Sequence, residues 1–165
     1  MNPGDLPLFW YPSPVGAIGF AFRHAALWEV ALKPWEACPK ALLPSREEEA
    51  FALALDGYFA GNLAALEAFK TVPQRGTPFQ REVWQALAHI APHQHPTYAG
   101  MAAAVGRPKA FRATGSAIGK NPLFLVLPCH RVLGSDGSLC GFACGVDVKR
   151  WLLQHEARHL ACALE

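Results

Sequence analysis

A cysteine followed directly by a histidine and an arginine, Pro128-Cys129-His130-Arg131, follows the apolar run Leu123-Phe124-Leu125-Val126-Leu127. A thiol attacks only as the thiolate, and nearby positive charge or a hydrogen-bonded base raises the thiolate fraction at neutral pH. The run has the length of a strand, so a rigid apolar segment is expected to deliver Cys129 and two potential cations to one place. Neighbours in an extended segment point opposite ways, so local geometry must bring the His130 ring back to the sulfur. Such a histidine also needs an orienting partner. Glu156 sits four residues from both Leu152 and Leu160 on a helix expected from Asp147 to His159. That spacing puts a carboxylate on the face that should be buried, and a buried acid needs partners. Alone, a Cys-His pair is better read as a structural thiol beside a core histidine, and the carboxylate as one held by an unrelated arginine.

The elements that must position this group divide the chain in two, 1–75 and 76–165. In the first part, Leu8 to Tyr11 and a hairpin of Ala17–Phe22 with Ala26–Leu32 read as a small sheet, Trp28, Val30 and Leu32 sharing a face until Pro34 stops it. Ser45 and Glu48 form a capping box for an amphipathic helix from Arg46 to Ala60, carrying Phe51, Leu55, Tyr58 and Phe59 and ended by Gly61. Nothing in this lobe looks catalytic. In the second part, Thr77 caps a helix with Pro78 at its first position and Gln80 completing a second box, and Phe79, Val83, Leu87 and Ile90 make its stripe. A short helix from Tyr98 to Val105, a turn at Gly106 and a helix from Pro108 through Ala117 then give a helix-turn-helix layout, which many bundles without a nucleic-acid partner also contain.

With 165 residues, 52% hydrophobic and 17% charged, the chain can bury one core or two small lobes. No apolar run reaches the roughly 18 residues of a membrane span, and the start lacks the layout of a secretion signal, so an intracellular, cytoplasmic protein with no membrane partner is expected. Five cysteines, odd in number and unevenly spaced, suit free thiols in a reducing compartment. The net charge of +2 is small, but its distribution is uneven: up to Arg75 six basic residues face eight acids, and from Gly76 nine face five. Between Glu82 and Asp136 there is no acid, while Arg107, Lys109, Arg112, Lys120 and Arg131 all lie there. Such a stretch suits a polyanion and equally an ordinary solvated face. Within it, Ala110, Ala113, Thr114, Gly115, Ser116 and Ala117 keep the second helix thin, either for close approach to a phosphate chain or groove floor, or for tight packing on a neighbour.

Pro128-Cys129-His130-Arg131-Val132 resembles the active-site motif of the O6-alkylguanine-DNA alkyltransferases, also called methylated-DNA–protein-cysteine methyltransferases. Gly76-Thr77-Pro78-Phe79-Gln80, Val83-Trp84, Tyr98, Gly106-Arg107-Pro108, Ala113, Asn121-Pro122, Trp151-Leu152-Leu153 and His155-Glu156 fall in the family's order and at about its spacings. The resemblance implies a two-lobed α/β fold: a small sheet plus helix of RNase H-like type, then a winged-helix-like helical lobe holding the helix-turn-helix. It implies single-use repair, in which Cys129 takes the alkyl group of O6-alkylguanine, and of O4-alkylthymine, in double-stranded DNA. His130 would accept the cysteine proton directly or through a water, Glu156 would hold His130, Asn121 would fix the active-site segment, and Tyr98 would hydrogen-bond the base as its oxygen gathers charge. Arg112 would fill the gap left by the extruded nucleotide, with Thr97, Tyr98, Arg107, Lys109, Ala113 and Lys120 on the minor-groove interface. Ile118, Val132, Phe142, Ala143 and Cys144 would line the pocket. No cofactor or metal and a monomer are implied.

The chain departs from that pattern at Cys140-Gly141-Phe142-Ala143-Cys144-Gly145, where the family usually has a tyrosine in a glycine-rich loop. The aromatic wall lacks its hydroxyl, a glycine is replaced by Cys144, and Cys144 becomes a second oxidisable thiol. Cys140, Cys144, His155 and His159 also imitate a zinc-finger order, with too short an intervening segment. Two other classes remain to be separated. A Cys-His hydrolase would need an oxyanion hole and would turn over; a helix-turn-helix regulator would bind sequence-selectively with no chemistry.

Overall fold

The computed structural model describes residues 8–39, 44–139 and 141–163. Three strands, β1 (Phe9–Ser13), β2 (Gly16–Arg23) and β3 (Ala26–Pro34), make an antiparallel sheet in sequence order. His24 and Ala25 both adopt positive φ, 50° and 61°, the sense of a two-residue hairpin turn that matches strand twist. Phe20 and Val30 pair across β2 and β3 and are buried, while a side chain at Gly19 would meet the Trp10 ring at 2.8 Å. Glycine there lets the indole lie flat on the sheet.

Helix α1 (Arg46–Phe59) starts at the expected capping box, with the Ser45 amide donating to Glu48 Oε2 at 2.6 Å. Its stripe of Phe51, Leu55 and Tyr58 is buried; Phe51 meets Phe20 edge-on. The second capping box, Thr77 with Gln80, opens α2 (Pro78–Ala88). Helices α3 (Tyr98–Ala104), α4 (Phe111–Gly119) and α5 (Val146–Cys162) complete the set among the described residues, none of which is long and apolar enough to cross a membrane.

Two sequence expectations need correction. The helix expected from Pro108 begins only at Phe111, because the Ala110 amide closes a turn on the Arg107 carbonyl at 2.9 Å and helical bonding starts with Thr114 on Ala110 at 2.8 Å. Proline's fixed φ suits the second position of such a turn. Lys109 therefore sits in that turn, ahead of the helix, and Lys120 is its C-cap. The apolar run Leu123–Leu127 is not a strand. Leu123 makes one parallel bridge to Val30, and the chain then turns, with the Leu127 amide on the Leu123 carbonyl at 3.0 Å and Leu125 at φ 71°. Asn121 braces both ends of the turn, accepting from the Leu123 amide at 2.9 Å and donating to the Leu127 carbonyl at 2.8 Å. Continuous apolarity here records burial on all sides: all five side chains are buried.

The architecture is α/β and two-lobed, the sheet and α1 on one side and the helices from α2 onward on the other. One apolar core runs through both, from Val15, Phe20 and Leu55 to Leu87, Leu127 and Leu152. The bridge to β3, with the Val30 amide on the Pro122 carbonyl at 2.9 Å and the Phe124 amide on Val30 at 3.0 Å, fixes the segment ahead of Cys129 against the sheet. Burial of this kind stabilises by about 25 cal/mol per Å² of apolar surface.

Candidate active site

Behind that brace the chain makes one short 3-10 turn, Cys129–Arg131, which carries all three reactive side chains inward. The turn lets consecutive side chains converge: His130 and Arg131 both reach Glu156, on the buried face of α5. Glu156 Oε1 accepts from Arg131 Nη2 at 2.8 Å and from the Tyr58 hydroxyl at 2.9 Å, and lies 2.8 Å from His130 Nε2; Oε2 accepts from Arg131 Nε at 3.0 Å. Arg131 Nη1 donates to the Ile90 carbonyl at 2.6 Å. His130, Glu156 and Tyr58 are each at most 1% exposed.

Burial pushes the Glu156 carboxyl up, but His130 and Arg131 outweigh it and hold the group well below the usual carboxylate range. For His130, burial dominates and lowers the pKa against the pull of Glu156, so the ring is neutral at pH 7. We therefore take Arg131 as the permanent counter-ion of Glu156. A neutral ring beside an ionised carboxylate carries its proton on Nε2, which leaves the Nδ1 lone pair available. Nδ1 is buried and makes no hydrogen bond to the described residues.

These shifts carry a pH signature. Both groups have folded pKa values below their unfolded ones, so each contributes stability that is present above the unfolded pKa and lost as pH falls through the folded one. His155, lowered chiefly by burial, acts in the same direction. Thermal stability is expected to be greatest near neutral pH, to decline below about pH 6.5 as unfolded histidines take up protons, and to fall more steeply below about pH 4.3. A melting series across that range checks it; a flat profile between pH 7 and 5 would mean that His130 is not held neutral.

Cys129 is 7% exposed and lines a narrow cavity of about 40 Å³ together with Tyr98, Ile118, Asn121, Phe142, Ala143 and Cys144. Burial raises its pKa, while the Asn121 side chain and the Lys149 charge work to lower it. Tyr98 opens α3, and its amide donates to the Leu133 carbonyl at 3.2 Å while Leu133 returns a bond to Pro96 at 2.9 Å. That clamp ties the chain beyond Cys129 to the start of α3, where the Thr97 hydroxyl caps the Gly100 amide at 3.0 Å. Val132, expected in the pocket, does not line it. It is fully buried, and its carbonyl accepts from Lys149 Nζ.

Two contributors went unnoticed in the sequence. Lys149 is fully buried, with its ammonium 5.7 Å from the Tyr98 ring centroid and 5.6 Å from that of Phe142. Its spacing to Leu152 and Glu156 places it on the buried face of α5, which is the signal that could have found it. Tyr58 comes from the lobe that had seemed inert. Its place on the α1 stripe was visible, but not its partner across the molecule.

On the outer side of the cavity, α4 buries Thr114, Ala117 and Ile118 and exposes Arg112, Ala113, Ser116 and Gly119. A side chain at Gly115 would lie 3.6 Å from the Tyr98 ring, so thinness serves packing on one side, while the outward face is small as well. Phe111, 48% exposed, stands beside Arg112 with the guanidinium 5.9 Å from its ring. Arg107 is turned toward α2, 3.5 Å from Glu82 and over the Phe79 ring. Lys109 and Lys120 are exposed at the two ends of α4. Of the zinc-finger imitation, Cys140 lies outside the described residues, His155 Nε2 bonds the Tyr58 carbonyl at 2.8 Å and His159 Nδ1 the His155 carbonyl at 2.8 Å. Among the described residues no group of three or more side chains could hold a metal ion.

Residues 78–158 match the family model of the 6-O-methylguanine DNA methyltransferase, DNA binding domain. A methylated-DNA–protein-cysteine methyltransferase of Haemophilus influenzae is 36% identical over 153 residues, spanning 89% of this chain and 84% of the relative. The chain belongs to the 6-O-methylguanine DNA methyltransferase family. The relative of the same name from Salmonella typhimurium is 55% identical over 102 residues, 62% of this chain and 59% of the relative; the chain thus spans about three-fifths of the first relatives it matches. Among solved structures of methyltransferases in this family, that of Mycobacterium tuberculosis OGT in complex with DNA superposes with a TM-score of 0.74 at 29% identity, covering 93% of this chain and 94% of that one.

Proposed function

We propose that this chain removes an alkyl group from O6-alkylguanine in double-stranded DNA by transferring it, irreversibly, to Cys129. The observation that carries this is the arrangement Cys129–His130–Glu156: a sulfur at the wall of a cavity, a neutral histidine beside it with one ring nitrogen fixed by a carboxylate, and the other nitrogen left for a proton. The relatives named for this activity and the DNA complex of a structural neighbour support it. The Cys129 sulfur attacks the alkyl carbon as the carbon–oxygen bond breaks. The thiol proton passes to His130 Nδ1, directly or through a water, and the electron pair of the broken bond goes to the base. Tyr98 stabilises the charge gathered there, the role preorganised donors play in such steps. The product is S-alkylcysteine, and nothing in the site returns the thiol, so each molecule acts once.

A base within a duplex cannot offer its alkyl carbon to a sulfur at a cavity wall, so the nucleotide must rotate out of the stack. Helix α4 lies in the minor groove in this reading, with its small outward face at the groove floor and Arg112 filling the vacated place; Thr97, Tyr98, Ala113 and the flanking Lys109 and Lys120 contact the strand. Arg107 contributes after release from Glu82. The lobe of 1–75, of RNase H-like type, supports the site, and the winged-helix-like lobe of 76–165 carries the chemistry. The protein acts as a monomer, in the cytoplasm, without a cofactor, and O4-alkylthymine is a second substrate.

Arg112→Ala tests the extrusion step. Single-turnover transfer from a lesion-bearing duplex is expected to slow by about tenfold or more, since unstacking costs a few kcal/mol that the guanidinium no longer offsets. Transfer from the free modified base is expected to be unchanged. Equal loss on both substrates would mean that Arg112 acts on the pocket and not on the duplex.

A further inference from the structure

Cys144 takes no part in the alkyl transfer proposed above, yet it shares the narrow cavity with Cys129. Four cysteines among the described residues are free: Cys38 and Cys144 half-buried, Cys129 buried and Cys162 exposed. Of these only Cys129 and Cys144 line one space, a cavity of about 40 Å³. The segment bearing Cys144 can also adjust. Gly141 and Gly145 flank it at φ 76° and 97°, and a side chain at Gly145 would meet nothing within 4 Å. A disulfide needs Cα atoms within roughly 4.4–6.8 Å, and glycine, having no Cβ, lets the backbone on either side of Cys144 rotate toward that range.

We infer that Cys129 and Cys144 form a reversible intramolecular disulfide when the protein meets a low-molecular-weight disulfide. The Cys129 thiolate attacks one sulfur of the reagent, forming a mixed disulfide and expelling one small thiolate, which takes up the proton released from Cys129. The Cys144 thiolate then attacks the Cys129 sulfur and expels the second small thiolate, which takes the Cys144 proton. Two protein thiols are oxidised, and one external disulfide is reduced to two thiols. Both steps are base-dependent, because burial pushes up the Cys129 and the Cys144 thiols alike. Closure removes the alkyl acceptor until a reductant reopens it, and keeps Cys129 from deeper, irreversible oxidation. The pairing rests on the cavity alone; only its consequence for repair rests on the transfer reading.

The test is intact-mass spectrometry of the folded protein incubated with cystamine. Wild-type protein is expected to lose two hydrogens at Cys129 and Cys144 with no cysteamine adduct on either, whatever adducts the other thiols carry, to give a tryptic cross-link between residues 121–131 and 132–149, and to return to the starting mass with dithiothreitol. Cys140 shares the second peptide, so Cys140→Ser is expected to keep the cross-link, whereas Cys144→Ser is expected to stop at the cysteamine adduct on Cys129. Cys129 that stays reduced, that keeps its cysteamine adduct, or whose cross-link survives Cys144→Ser overturns the inference. Protein that cross-links as described but gains no methyl from lesion-bearing DNA sinks the repair reading and leaves the pairing standing.

Discussion

Cys129→Ser is expected to abolish transfer of the methyl group from a lesion-bearing duplex while leaving duplex binding intact. The serine hydroxyl is far less acidic than a thiol, and neutral His130 is too weak a base to ionise it within the time the lesion is bound. Affinity for a duplex comes mainly from phosphate contacts by cations, and the cations proposed for that role, Lys109, Arg112 and Lys120, do not line the cavity. The variant should therefore bind and salt-titrate like the parent and show no methylated protein by mass. Residual transfer at a measurable rate would place the acceptor on another side chain.

Glu156→Gln is expected to produce the second large effect, on stability and on rate together. Glu156 is the counter-ion of Arg131, which is 4% exposed, and it also holds His130 and Tyr58. Removing one partner of a buried pair costs about 3–5 kcal/mol, because the other charge stays buried without compensation. An amide also ceases to fix the proton on His130 Nε2, and losing a positioned base lowers rates by about 10²–10⁴. The two effects separate by experiment. Denaturant unfolding reads the first, and single-turnover transfer well below the unfolding midpoint reads the second. Glu156→Asp, which keeps the charge, should recover much of the stability. A Gln variant as stable as the parent would mean that Arg131 has another counter-ion.

The sequence was informative where chemistry and local pattern coincide. Cys129, His130 and Glu156 stand out from residue type and helical spacing; the structure joins His130 to Glu156 and sets Cys129 in the same buried 3-10 turn, whose formation no pattern announced. Both capping boxes appear where the cap residues put them, because those signals act within four residues of chain, and the hairpin appears where its two apolar runs put it. Leu123–Leu127 misled because an all-apolar run says only that every side is covered; the bend comes from Asn121 bonding both flanks. Pro108 misled because proline opens turns as readily as helices. Tyr58 and Lys149 were invisible as site residues for a different reason. Each lies on an ordinary buried stripe, and its function depends on a partner across the fold: Tyr58 reaches Glu156 from 98 positions away, and Lys149 faces the Tyr98 and Phe142 rings.

The most direct test is to mix the protein with a limiting series of duplex containing one O6-methylguanine and weigh the intact chain. Repair is expected to stop at one lesion per protein molecule, each repaired lesion matched by one methyl group in place of one proton, carried on the peptide containing Cys129. Continued repair beyond one equivalent, or repair with no gain in protein mass, would contradict the account.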